Sequence, residues 1–143
     1  MIGADIIDKS FLDRSNLETY ILDQNNVSQL HRLGKKYKNF DLIIDDGSHF
    51  PKHQKKSFEV LFNYLSEGGV YIIEDMKSSY RNGYGGNSNL GKGNIVQFFK
   101  DLSHAPNSEM LKNKFLVKIK NYKNIELVCF FKSAILIKKR TKK

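Results

Sequence analysis

Phe40-Asp-Leu-Ile-Ile-Asp-Asp-Gly-Ser-His49 is an apolar run that breaks abruptly into carboxylates, and Val70-Tyr-Ile-Ile-Glu-Asp75 repeats the pattern further on. A strand buried on both faces reads this way when it ends at a polar site. Between the two runs, Pro51 suits a first helical turn. Phe58, Leu61, Phe62 and Leu65 then recur at i, i+3, i+4 and i+7, the spacing of one helical face. Gly68-Gly69 is expected to stop that helix. Strand, helix, strand in this order is a parallel crossover, and it brings Asp45, Asp46, His49, Glu74 and Asp75 to one end of the sheet.

Upstream, residues 2–7 read as a strand, 8–16 as a polar loop, and 19–22 as a second strand ending in Asp23-Gln24-Asn25-Asn26. Val27, Leu30 and Leu33 predict a helix that Gly34 would stop. Downstream, residues 77–93 are irregular and glycine-rich, long enough to be a functional loop over the site. Ile95, Phe98, Phe99 and Leu102 predict another helix. Two β-rich runs, 125–131 and 134–137, are joined by Lys132-Ser133 and predict an antiparallel hairpin at the sheet edge. The fold class is α/β, mostly parallel, with ligands expected at the carboxyl ends of the strands.

At 143 residues and 40% hydrophobic content, the chain suits a single domain over 1–143 with a basic tail at 138–143. No stretch approaches the ~20 apolar residues of a membrane span, and the first residues lack a signal-peptide layout, so a cytoplasmic protein is expected. Cys129 is the sole cysteine; its apolar neighbours predict a buried, inert thiol, and a reducing compartment fits. The net charge of +9 is read as solubility and a preference for anionic substrates, with nucleic acid a weaker expectation. A basic binding module for RNA or an acidic partner is the non-enzymatic alternative, although interleaved aromatics are lacking.

Carboxylates at Asp46, Glu74 and Asp75 are hard oxygen ligands suited to Mg²⁺ or Mn²⁺. His49 stands three residues after Asp46, and imidazole is the side chain suited to general-base work near neutral pH. Acidic residues at strand ends also cap the following helix, and Asp46 or Ser48 could cap the helix entered at Pro51. Pattern alone leaves the two readings in balance. Residues 86–93 nearly spell a phosphate-binding loop, but glycine replaces the required hydroxyl residue and no strand leads into it. His31, His53 and His104 show no ligand spacing.

Asp45-Asp-Gly-Ser-His49, Ser57-Phe-Glu-Val-Leu-Phe62, Gly68-Gly-Val-Tyr-Ile-Ile-Glu-Asp75, Ser79-Tyr80 and Gly83-Tyr-Gly-Gly86 together resemble the C-terminal part of the macrocin O-methyltransferase family. The resemblance runs from about Gly3 to the end. It implies a Rossmann-like class I methyltransferase sheet, S-adenosylmethionine and Mg²⁺ (or Mn²⁺) as cofactors, and a sugar or glycan hydroxyl on a small molecule as acceptor. It further implies Asp46, Glu74 and Asp75 as metal ligands and His49 as catalytic base. Asp5 would bind the cofactor's ribose, Asp23 and Gln24 its adenine side, with Asp45 also on the cofactor side. Tyr80 and Tyr84 would sit in the loop over the acceptor.

Members of that family open their sheet with a strand and a glycine-rich turn, and no such segment precedes Gly3. In the family's strand order the missing strand lies between those starting at Ile2 and Phe40. Three outcomes follow: the two flanking strands pair with each other; another chain fills the gap, as a second copy or a separate N-terminal segment; or the sequence is a piece of a longer protein. The last is the expectation.

Overall fold

Strand β1 (Ile2–Asp5) runs parallel to β2 (Glu18–Ile21), with Gly3 opposite Thr19 and Asp5 opposite Ile21. The computed structural model describes residues 1–89, 94–110 and 122–141. The end of the near-phosphate-loop motif, at 90–93, and the last lysines of the basic tail lie outside the described residues.

Helix α1 (Val27–Tyr37) starts where Asn26 accepts a hydrogen bond from the Gln29 amide at 3.2 Å, the usual role of an asparagine cap. It runs through Gly34 rather than stopping there. A Cβ at Gly34 would come within 2.2 Å of the Tyr64 ring, so the glycine is needed for close packing of ring on helix. The turn into β3 (Phe40–Asp45) is made by Lys38 and Asn39, both left-handed at φ 40° and 53°. Lys36 on α1 meets Glu18 on β2 at 2.7 Å.

Helix α2 (Pro51–Leu61) is shorter than its apolar spacing predicts. The chain tightens into a 3₁₀ turn at Phe62–Tyr64 and enters β4 at Leu65 (Leu65–Ile73). Gly68-Gly69 therefore lies inside a strand. Phe40 pairs with Leu65 and Leu42 with Val70, so extra residues bulge from β4, and Gly68 takes φ 74° to allow it. After 3₁₀ turns at Met76–Tyr80 and Asn82–Tyr84 come α3 (Ile95–Leu102), β5 (Ile125–Phe130) and β6 (Ile135–Lys139). Asn94 caps α3 by accepting from the Val96 amide, and its own amide donates to the carbonyl of Asn87 at 2.8 Å.

The second sheet has the order β3-β4-β6-β5: β3 and β4 are parallel, and β6 is antiparallel to both β4 and β5. The C-terminal hairpin stands at the sheet edge as the sequence predicts. β1 and β3 do not pair, so the strands form two separate sheets.

Register explains which face is buried. Asp45 pairs with Ile73 and Ile73 with Ile135; Tyr71 pairs with Ile137. These side chains are all buried, and Phe58 of α2 meets the Tyr71 ring at 5.5 Å and the Phe99 ring of α3 at 5.2 Å. The opposite face is open: Leu42 and Ile44 are 52% and 53% exposed. β3 is thus covered on one face among the described residues, not on both. Cys129, opposite Leu136 in β5, is half-buried rather than buried.

Candidate metal and acceptor site

The parallel pairing of β3 with β4 continues beyond Ile73, where the Glu74 amide donates to the Asp45 carbonyl at 3.0 Å. Both acidic strand ends therefore leave the sheet together. His49 and Asp75 each take a left-handed backbone, φ 56° and 51°, which for residues other than glycine clusters at functional sites. The outcome is one constellation: ligand atoms of Asp46, His49 and Asp75 lie within 4.8 Å of one another. His49 Nε2 is 3.8 Å from Asp75 Oδ2, and its Nδ1 is buried without a partner. Carboxylate oxygens with an imidazole at this spacing suit a divalent cation.

Glu74, expected as a ligand, is exposed and stands outside those three. Its carbonyl accepts from Gln54 Nε2 at 3.0 Å, and Gln54 is wholly buried. The capping alternative fails: the N-cap of α2 is Phe50, with no side-chain cap bond. Ser48 instead donates its amide and hydroxyl to Gln24 Oε1, at 3.0 and 2.9 Å, with its oxygen 2.9 Å from His53 Nδ1.

Asp45 and Gln24, both expected on the cofactor side, are engaged with the protein itself. Asp45 is 7% exposed, and Gln24 Nε2 donates to its Oδ1 at 2.6 Å. The Ser57 hydroxyl and the Tyr71 hydroxyl both donate to Oδ2. This carboxylate is consumed by a buried network, and Gln24 clamps the loop after β3 to the loop after β2. A Cβ on Gly47 would approach Gln24 Oε1 to 2.7 Å, so the clamp also fixes that glycine. Burial pushes the Asp45 carboxyl up, while its hydrogen bonds from Ser57 and Tyr71 pull it down. Ser57 and Gln54 were not singled out from sequence. Their signal was a serine and a glutamine within the buried stripe of α2, where a polar side chain must have a partner.

Asp5 lies at the carboxyl end of β1; its Oδ1 accepts from the Ile7 amide at 2.9 Å, and Lys9 stands 3.9 Å from Oδ2. Asp23 accepts from the Asn25 amide at 2.8 Å. Nothing in these contacts brings Asp5 and Asp23 into the metal constellation. Tyr84 rests on Phe50 with ring centroids 5.8 Å apart, and Phe50 on His53 at 5.3 Å. The loop after β4 thus lies over the segment next to His49, with Tyr80 41% and Tyr84 37% exposed.

The parallel β3–β4 pair, extended by an antiparallel hairpin, belongs to an α/β methyltransferase fold, as the match to solved structures shows. The structure matches, across 98% of the chain, the MycE methyltransferase from the mycinamycin biosynthetic pathway, solved with Mg, SAH and mycinamycin VI, at a TM-score of 0.89 and 32% identity. The chain is a homologue of the macrocin-type sugar O-methyltransferases. It is 42% identical over 94 residues to demethylmacrocin O-methyltransferase of Streptomyces fradiae, which is 66% of this chain and 24% of that protein. To mycinamicin VI 2''-O-methyltransferase of Micromonospora griseorubida it is 45% identical over 84 residues, 59% of this chain and 21% of that protein. The chain thus spans about a quarter of the length of the curated relatives it matches, and 36% of the MycE chain. No family model matches it.

Proposed function

We propose that this chain carries the metal and acceptor half of an S-adenosylmethionine-dependent O-methyltransferase acting on a sugar hydroxyl of a glycosylated small molecule. The observation that carries this reading is the convergence of Asp46, His49 and Asp75 at the ends of β3 and β4. Asp46 and Asp75 would hold Mg²⁺ or Mn²⁺, with Glu74 as the further ligand that the family resemblance implies. Once bound, the cation would supply positive charge that acidifies and orients an acceptor hydroxyl, and the cofactor would supply the methyl group.

His49 takes the hydroxyl proton at Nε2, the nitrogen that faces the cluster. Tyr80 and Tyr84 line the approach, where an aromatic face and a hydroxyl suit a sugar ring. Asp5, at the end of β1, offers Oδ2 to a ribose diol, and Asp23 stands on the adenine side. The lone cysteine fits a reducing compartment, the cytoplasm. The two curated relatives are O-methyltransferases of demethylmacrocin and mycinamicin VI, which does not favour the basic binding module.

Mn²⁺ titration of this chain, followed calorimetrically, tests the reading. Binding is expected to weaken at least about tenfold in Asp46→Asn and Asp75→Asn, a loss of ~1.4 kcal/mol or more. Heat that is absent, or indifferent to both substitutions, removes the basis of the proposal.

A further inference from the structure

From Met76, the residue after Asp75, the chain opens a cavity of about 210 Å³ whose lining includes none of Asp46, His49 and Asp75. It lies between the segment after β4, α3 and the turn of the β5–β6 hairpin. Met76 links it to the site: it follows Asp75 directly, and its amide donates to the carbonyl of Ser133 in the hairpin turn at 2.9 Å. The floor is apolar and buried, with Met76 at 4%, Val96 at 8% and Ile135 at 1% exposure. The walls are aromatic and accessible, Tyr80 at 41% and Phe131 at 59%.

Lys100 and Lys132 stand at the rim. Lys9, Lys36, Lys55 and Lys138 each pair with a carboxylate. Among the described residues Lys100 and Lys132 do not. Two cations at one pocket mouth raise the local potential, which favours a bound anion. An apolar floor with aromatic walls holds flat hydrophobic groups, and the few polar groups at its edge fix orientation and specificity.

The geometry points to a second acceptor subsite here, which takes the apolar body of an acceptor carrying a carboxylate or phosphate. Lys100 and Lys132 hold the anion while the hydroxyl to be methylated reaches the cluster around Asp75. The assignment rests on the methyltransferase reading for its purpose but not for its binding, which needs no metal.

The probe is 1-anilinonaphthalene-8-sulfonate, an aromatic anion, compared with the uncharged N-phenyl-1-naphthylamine. The chain is expected to bind the sulfonate saturably, and at least about tenfold more weakly in Lys100→Gln/Lys132→Gln and in Phe131→Ala. The neutral dye should not distinguish the double lysine variant from the parent. All three substituted residues are exposed, so the variants should keep the parent's circular dichroism. Asp46→Asn should leave sulfonate affinity within about twofold.

The bare sheet face around Leu42 and Ile44 also attracts such dyes, so the variants decide. Sulfonate binding indifferent to all of these substitutions, or lost in Asp46→Asn, overturns the subsite. Equal loss of both dyes in the lysine variant overturns the anion preference. Absence of Mn²⁺ binding in the unsubstituted chain, with its sulfonate binding intact, would sink the metal reading alone.

Discussion

Asp45 touches no ligand in the proposed chemistry, yet the position of Asp46 beside it depends on its contacts. Replacing it with alanine would remove the acceptor shared by the Ser57 and Tyr71 hydroxyls and the Gln24 amide, leaving Ser57 only the Gln54 carbonyl at 3.1 Å, and Gln24 and Tyr71 only Ser57 Oγ at 3.1 and 3.2 Å. Stranded buried polar groups cost about 1–3 kcal/mol. Asp45→Ala should therefore lose about 3 kcal/mol in urea denaturation, whereas the exposed Asp46→Ala should stay within about 0.5 kcal/mol. Equal losses would mean that the network is not the anchor described. His53 gives a pH test. Burial pushes its imidazole below the ordinary range, against the pull of Asp23. A depressed imidazole binds its proton less readily in the folded chain than in the unfolded one. Its contribution is thus complete above pH ~6.5 and is lost as pH falls from there through the lowered value. His53→Gln should flatten the decline in urea midpoint between pH 7.5 and 5.5; an unchanged slope would assign the decline to other groups.

At the level of elements, α1 and α2 test the packing of helix against 3₁₀ turn. Alanine favours a helix interior over glycine by ~1 kcal/mol, but at Gly34 its Cβ would meet the Tyr64 ring at 2.2 Å. Overpacking of this kind costs about 1–3 kcal/mol, so Gly34→Ala should destabilise the chain in spite of propensity. Tyr64→Ala alone should also destabilise it, and the double variant should lose less than the sum of the two. Strict additivity would show that ring and helix do not clash. The helices were legible because Leu30 and Leu33, or Phe58 and Leu61, repeat at 3.6-residue spacing. The glycines misled because they serve close packing at Gly34 and a bulge at Gly68, neither of which leaves a local pattern. The site was half legible. Asp46, His49 and Asp75 stand in short motifs at strand ends, but the roles of Gln24 and Asp45 depend on hydrogen bonds to Ser48, Ser57 and Tyr71. Such contacts between distant segments follow from tertiary packing, which motif reading does not resolve.

At the scale of the whole molecule, the main fact among the described residues is a sheet that is one-sided and in two parts. Ile44 and Ile73 lie on neighbouring strands but on opposite faces. Ile73→Ala should cost about 3 kcal/mol, in the range for buried isoleucine, and Ile44→Ala less than about 1 kcal/mol; comparable losses would mean that the open face is covered in solution. The β1–β2 pair shares no strand pairing with the other sheet, so its amides should exchange with solvent ahead of those in β4. Uniform protection across both sheets would argue for a single cooperative unit. The position of β6 also bears on how the chain assembles. The partner that β4 needs along its second edge arrives only after the whole stretch from Ile73 to Ile135 has been made. Until then β4 shows a ladder of unpaired amides and carbonyls, the kind of edge that recruits foreign strands. Closure across such a sequence separation is slow, so the newly made chain passes through an interval in which aggregation competes with folding.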